Sequence, residues 1–298
     1  MGETLYLDCS SGISGDMFVA SLLDLGADET VLRKVLSSVP VKGFEVEIKR
    51  VKKSGLDACD FLVALDSDHE NHDHDMEYLH GRHHEKYSHE EHSHEEHSHE
   101  EHHHDGHDHF HGKSGHIHTH AHSEHEHRGL TEVCEIIEAS AATEHAKTLA
   151  ARIFEVLAEA EAKAHGTSPD NVHFHEVGAV DSIADILAAA VCVDDLGIEE
   201  IIIPELYEGR GTVRCQHGLL PIPVPAVANI VNKHHIRVHT TDVTGELVTP
   251  TGAAIAAALR TGERLPESFY IKRIGLGAGK RDYDTAGIVR AMLIERER

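Results

Sequence analysis

The residues best suited to ordered chemistry lie in His173-Phe-His-Glu-Val-Gly-Ala-Val-Asp-Ser-Ile-Ala-Asp185. In an extended stretch, side chains two apart face the same way, so His173 and His175 share a candidate ligand face. Asp181 and Asp185 are four apart and fall on one face of the helix that follows. Two imidazoles converging with one or two carboxylates make a divalent-metal site or an acid/base cluster, with Glu176 as a nearby candidate base. A structural reading competes: Asp181 as a helix cap, Asp185 solvated, one histidine structural. The spacing His-x-His-Glu is not the His-Glu-x-x-His of zinc proteases.

Histidine is far denser elsewhere. Of the 31 histidines, 23 lie between His69 and His127. The run repeats as Ser88-His-Glu-Glu-His92, then Ser93 to His97, then Ser98 to His102. Neutral imidazole is a borderline ligand for nickel, zinc, copper and cobalt, so many weak sites together retain ions. His89, His92, His94, His97, His99, His102, His103 and His104 are the candidate ligands of its densest part. So polar a run has almost nothing to bury and reads as disordered. It lacks surrounding groups that fix ligand geometry, so it is expected to buffer metal rather than to perform chemistry.

Two loops are candidate anion sites. Asp8-Cys-Ser-Ser-Gly-Ile-Ser-Gly-Asp16 leaves a strand and feeds a helix N-terminus, where N–H groups and the helix dipole favour phosphate or carboxylate. Asp8, Ser10, Ser11 and Asp16 are its candidate binding residues, the acids acting directly or through a cation; a tight glycine turn capped by Asp16 is the simpler alternative. Thr249-Pro250-Thr251-Gly252 repeats the design more weakly, through Thr249 and Thr251. Gly275-Leu-Gly-Ala-Gly-Lys-Arg-Asp282 looks like a nucleotide loop but fails the test. A P-loop needs glycine where Ile274 stands and Ser or Thr where Arg281 stands. It reads as a Gly-rich strand connection, with Lys280 or Arg281 available to a phosphate.

The elements that must position these groups follow from periodicity and punctuation. Strands are expected over Thr4–Leu7, Phe44–Val51 and on to Leu65 after a turn at Ser54-Gly55, then over Glu200–Pro204, Gly211–Cys215, Phe269–Leu276 and Gly287–Ile294. Helices are expected from Asp16 to Leu25, Asp28 to Val39, Leu130 to Ala139, Thr143 to His165 and Val180 to Leu196. Two more run over Ala226–Asn232 and Gly252–Arg260. Thr143 with Ala146 makes no capping box. Strands and helices mix without a regular βαβ repeat, which predicts an α+β fold, a mixed sheet with packed helices. The expected domains are 1–66 and 129–298 as two parts of one core, with 67–128 as a long disordered His-rich insertion.

Composition narrows the function. Hydrophobic residues make up 40% of the 298 and the formal net charge is −25. Such acidity repels phosphate backbones and argues against nucleic acid as a partner. The five cysteines form no Cys-x-x-Cys pair, which fits a reducing cytoplasm. No run has the length and apolarity of a membrane span, and the N-terminus lacks a signal-peptide pattern.

Taken together, Leu7-Asp-Cys-Ser-Ser-Gly-Ile-Ser-Gly-Asp-Met17, His173 to Ile183, His217-Gly-Leu-Leu-Pro-Ile-Pro-Val-Pro-Ala226 and Gly245-Glu-Leu-Val-Thr-Pro-Thr-Gly252 resemble the LarC-type nickel insertion proteins. These serve nickel-pincer nucleotide cofactor biosynthesis. The resemblance covers nearly the whole chain outside the histidine tract. It implies that nickel is placed between two sulfurs and a ring carbon of pyridinium-3,5-bisthiocarboxylic acid mononucleotide. That carbon loses a proton, so a base is required. It further implies CTP hydrolysis with Mg or Mn, and lactate racemase and related enzymes as recipients of the product. On this sequence the tract supplies nickel. His173, His175 and Glu176, with Asp181 and Asp185, hold or transfer it, one carboxylate acting as base. Asp8, Ser10, Ser11 and Asp16 bind the phosphate end. Proteins of this type continue into a C-terminal domain to which CTP binding is attributed. A separate C-terminal polypeptide is therefore an expected partner, and the chain alone an incomplete insertase. The alternative is a non-catalytic nickel or divalent-metal store or chaperone.

Overall fold

A computed structural model describes residues 2–65, 76, 79, 129–172, 180–215 and 217–297. Met1–Gly81 and His127–Arg298 form one compact unit; Arg82–Glu126 form a second, outside the described residues.

The first unit is α+β, as its mixed pattern predicts. In chain order it runs β1 (Glu3–Asp8), α1 (Gly15–Leu25), α2 (Glu29–Leu36), β2 (Phe44–Lys53) and β3 (Leu56–Leu65). After the tract come α3 (Leu130–Ala139), α4 (Glu144–His165), a 3-10 turn (Pro169–Asn171), α5 (Val180–Asp195) and β4 (Ile198–Ile202). Then follow β5 (Leu206–Arg210), β6 (Thr212–Cys215), β7 (Gly218–Pro221), α6 (Pro225–Lys233), β8 (Val238–Thr244), α7 (Pro250–Leu259), β9 (Phe269–Ala278) and β10 (Ile288–Arg296).

One six-stranded sheet has the order β2-β3-β9-β10-β1-β4. Its β2–β3, β9–β10 and β10–β1 pairs are antiparallel, and β3–β9 and β1–β4 are parallel. Leu5, Leu7, Val289, Ala291 and Leu293 turn inward from the sheet into the main core. Helix α1 packs on β3, β9 and β10, α5 packs on α1, and α4 lies beyond it against α6 and α7. Lying between sheet and helices, α1 is apolar nearly all round, with Phe18, Val19, Ala20 and Leu22 fully buried. The opposite sheet face carries a small cluster of Ile202, Met292 and Ile294 with Tyr6 and Phe269.

Side chains at the element ends explain where the helices begin. Ser14 occupies the N-cap of α1, so the helix starts at Gly15 and Asp16 sits in its first turn instead of at the cap. Thr143 caps α4 through its own oxygen, which accepts from Ala146 N–H; the start that lacked a capping box is capped all the same. Thr249 caps α7 likewise, accepting from Gly252 N–H at 3.1 Å.

The Gly-rich run beginning at Gly275 is not a connection. Gly275 to Ala278 belong to β9, and the loop begins at Gly279. The glycines are there because α1 lies directly against this strand. A Cβ on Gly275 would stand 2.1 Å from Ser21 O, and one on Gly277 would stand 2.0 Å from Met17 O. Two further strands, β5 and β8, pair in parallel across a long sequence separation and escape any local pattern. Among the described residues, no helix is long and apolar enough to cross a membrane.

Candidate functional site

Three loops close around one cavity of about 570 Å³, a size suited to a small ligand. They are the 8–16 loop after β1, the 245–251 loop before α7 and the 279–287 loop after β9. Sequence reading picked the first two separately as anion sites, and the fold zips them together. Ile13 N–H donates to Leu247 O at 2.9 Å, and Thr249 N–H donates to Ile13 O at 3.1 Å. Gly12 has φ +89°, and a Cβ there would stand 2.1 Å from Leu247 O. Only glycine meets both demands. Thr285 Oγ1 donates to Ser11 Oγ at 3.0 Å and ties in the third loop.

Glu208, on β5, holds the middle loop from behind. Its Oε1 accepts from the N–H groups of Gly209 (2.8 Å), Leu247 (2.8 Å) and Val248 (3.2 Å). The side chain is fully enclosed, and its Oε2 is buried without a hydrogen-bond partner. Burial outweighs the three N–H donors and pushes this carboxyl up to about 7.

Acidic groups form one wall. Asp181 and Asp185 both line the cavity from the first turns of α5, as their four-residue spacing predicts for one helix face. Asp185 reaches the first turn of α1: a Cβ on Gly15 would lie 2.5 Å from its Oδ2. Burial, then the charges of Asp16 and Asp181, raise the Asp185 carboxyl well above the usual range. Asp16 accepts from Ser14 Oγ through Oδ1, while its Oδ2 is buried with no partner. Asp181 Oδ1 accepts from Ser182 N–H at 2.8 Å. Asp185 is thus partly buried in the cavity wall.

Cations line the cavity too. Lys280 Nζ donates to the buried Asp60. Burial lowers its pKa, against the opposing pull of Asp16. Arg281 Nη1 donates to Glu246 Oε2 at 2.6 Å, both side chains being largely buried. Thr249, Thr251 and Ser11 line the cavity as well.

Other predicted site residues fall elsewhere. Asp8 and Ser10 are not in the cavity lining. Asp8 Oδ2 accepts from Arg290 Nη2 at 2.5 Å, and its Oδ1 accepts from Ser10 N–H at 3.0 Å. Burial works against this carboxyl, but the Ser10 and Arg290 hydrogen bonds hold it below the usual carboxylate range. Asp8 is thus engaged with Arg290 of the neighbouring strand β10 and with Ser10. His173, His175 and Glu176 lie outside the described residues, as do His89, His92, His94, His97, His99, His102, His103 and His104. Among the described residues, no group of three His, Cys, Asp or Glu side chains is arranged to hold a metal ion.

The structure also adds residues that local spacing did not reveal. His165, at the end of α4, and His217, in the β6–β7 turn, line the cavity with their ring centres 4.9 Å apart. They are too far apart in sequence for any local pattern to join them.

Comparison with known proteins places the chain in a family. A sequence model described as "Nickel insertion protein" matches residues 5–298. The chain belongs to that family. A pyridinium-3,5-bisthiocarboxylic acid mononucleotide nickel insertion protein of Alkaliphilus metalliredigens is 50% identical over 298 residues, covering 100% of this chain and 62% of that protein. One of the same name from Clostridium acetobutylicum is 41% identical, covering 98% of this chain and 64% of its own length. Another, from Acetivibrio thermocellus, is 33% identical, over 97% of this chain and 60% of its own. The chain thus spans about three fifths of the length of these relatives. No solved structure matches it.

Proposed function

We propose that the cavity takes pyridinium-3,5-bisthiocarboxylic acid mononucleotide and nickel and forms the nickel-pincer cofactor. The observation that carries this reading is the enclosed acidic wall of Asp16, Asp181 and Asp185, in a ligand-sized cavity of a chain that belongs to the nickel insertion family. Lys280 and Arg281 balance the anionic ends of such a substrate. Thr249, Thr251 and Ser11 offer hydroxyls to its phosphate.

Insertion replaces a ring C–H bond by a Ni–C bond. The C–H electron pair becomes the metal–carbon bond, the proton goes to a base, and nickel stays +2. We assign the base role to Asp185. Its raised affinity for protons makes it a strong acceptor once ionised, and an arriving dication favours ionisation by its own charge. Asp16 and Asp181 add negative charge that favours an arriving dication. Glu176, His173 and His175 precede α5 by a few residues and are kept as contributors to nickel handling. The tract at 69–127 supplies the metal.

CTP hydrolysis with Mg or Mn rests on the resemblance alone and is assigned to the further length that the relatives possess. Lactate racemase-type enzymes receive the product. Five thiols, none in a disulfide, fit a cytoplasmic setting.

The test incubates the chain with nickel, the thiolated nucleotide and CTP, with and without the C-terminal segment of a relative. The expected result is a nickel-containing product, found by mass, that depends on that segment and on Asp185. Equal product from Asp185→Asn would take the cavity out of the reaction. The histidine tract favours a second reading, metal storage; in that case, no product forms under any condition.

A further inference from the structure

We propose that His165 and His217 form a two-imidazole landing site for nickel at the mouth of the cavity. This rests on the insertion reading for its purpose, but not for its geometry. The ring centres are 4.9 Å apart and the planes are inclined at 55°. Metal–nitrogen bonds of about 2.0–2.1 Å, at angles between square-planar and tetrahedral, set two imidazoles on one ion with ring centres about 4.5–5.2 Å apart. The pair already has the ring-centre spacing that a shared ion requires.

Three surrounding features favour a cation at this spot. Glu161 Oε2 lies 3.6 Å from His165 Nε2, one helical turn back, in the manner of carboxylates that orient metal-bound imidazoles. His165 is the last residue of the 22-residue α4, whose C-terminal carbonyls present the negative end of the helix dipole. Cys215, two residues before His217 on β6, lines the same cavity and brings a soft sulfur. Both histidines are exposed, so an ion reaches them from solvent without any opening of the fold.

Two ligands are too few for a permanent home, and that suits transfer. An ion on two imidazoles keeps water at its other positions. Thiocarboxylate sulfurs replace those waters and then the imidazoles, with nickel at +2 throughout. The acidic wall that lines the same cavity receives the ring proton.

The test is residue-resolved labelling of the full chain with diethyl pyrocarbonate, read by mass spectrometry with and without saturating nickel sulfate. This sees each histidine separately, so the tract does not mask the pair. The expected result is loss of labelling at both His165 and His217 with nickel, and unchanged labelling at His239, which packs against Tyr207. In His217→Ala, nickel no longer protects His165, and in His165→Ala it no longer protects His217. His217→Gln, which keeps the side chain's bulk, repeats the test should the alanine variant fold poorly. Equal labelling with and without nickel overturns the proposal, and so does continued protection of His165 in either His217 variant. Protection of the pair without any insertion activity, with CTP and the C-terminal segment of a relative supplied, leaves this site standing and strikes the insertion reading. Insertion with the pair unprotected does the reverse.

Discussion

At the scale of single residues, two carboxyls carry the testable chemistry. Asp185 is raised by burial and by its acidic neighbours. Such a group binds a proton more tightly folded than unfolded, so its contribution to stability is full at low pH and lost as pH rises through its folded value. As a base it works only when ionised. Insertion should therefore rise with pH through the same range, and Asp185→Asn should lower the rate about 10²–10⁴-fold and erase that limb. Single-turnover rates across pH decide it; an unchanged profile in the variant assigns the limb to another group. Glu208 gives a second, purely structural reading of the same physics. Its folded value of about 7 against an ordinary 4.5 means that stability falls between those two pH values. Glu208→Gln should flatten this slope by about 3 kcal/mol relative to wild type. Urea melts at pH 5 and pH 8 measure the difference, and parallel slopes would reject it. Glu208→Ala leaves three buried N–H groups without an acceptor and should cost about 3 kcal/mol or more.

At the scale of elements, legibility depended on how local the deciding interaction was. Helices α1, α5, α6 and α7 and the β2–β3 hairpin were readable, because caps, prolines and periodicity lie within a few residues of each other. The pairing of β5 with β8 was not, because its partners come together only when the chain folds. The same limit hid the His165–His217 pair and the zipping of the 8–16 loop to the 245–251 loop, although each loop was visible alone. Glycine misled at Gly275 and Gly277. Local reading takes such a run as a connection, whereas these residues are small because a helix backbone rests on them. Gly277→Ala puts a methyl 2.0 Å from Met17 O and 2.6 Å from Ser21 N, both backbone atoms that cannot turn aside. The expected cost is about 1–3 kcal/mol or more, read as a lower denaturation midpoint. Since α1 carries Asp16, insertion should weaken too. A midpoint equal to wild type would show that α1 and β9 are not so closely seated.

At the scale of the whole molecule, the tract and the cavity make separable contributions. Removing 82–126, which spares the buried Leu79 of the core, should leave the fold and the maximal insertion rate intact while raising the nickel concentration needed for half-maximal rate. Isotope-traced nickel uptake measures both, and collapse of the maximal rate would make the tract part of the reaction itself. The expectation of a separate tract rested on its scarcity of apolar residues to bury. Which loops would share a cavity was not readable, since that depends on the six-strand order of the sheet. One detail of the sheet ties the two parts together. Strand β3 ends at Leu65 in the cavity wall, and Leu79 lies in the same wall. Covalent geometry alone then limits how far any ligand group can stray, because a chain extends by at most about 3.3–3.6 Å per residue. His89 is ten residues beyond Leu79, so it never lies farther from the wall than about 36 Å. One ion leashed within that radius meets the cavity at an effective concentration on the order of millimolar. If the tract holds nickel as proposed, supply at the cavity is decoupled from scarcity outside the protein by tethering and not by tight binding.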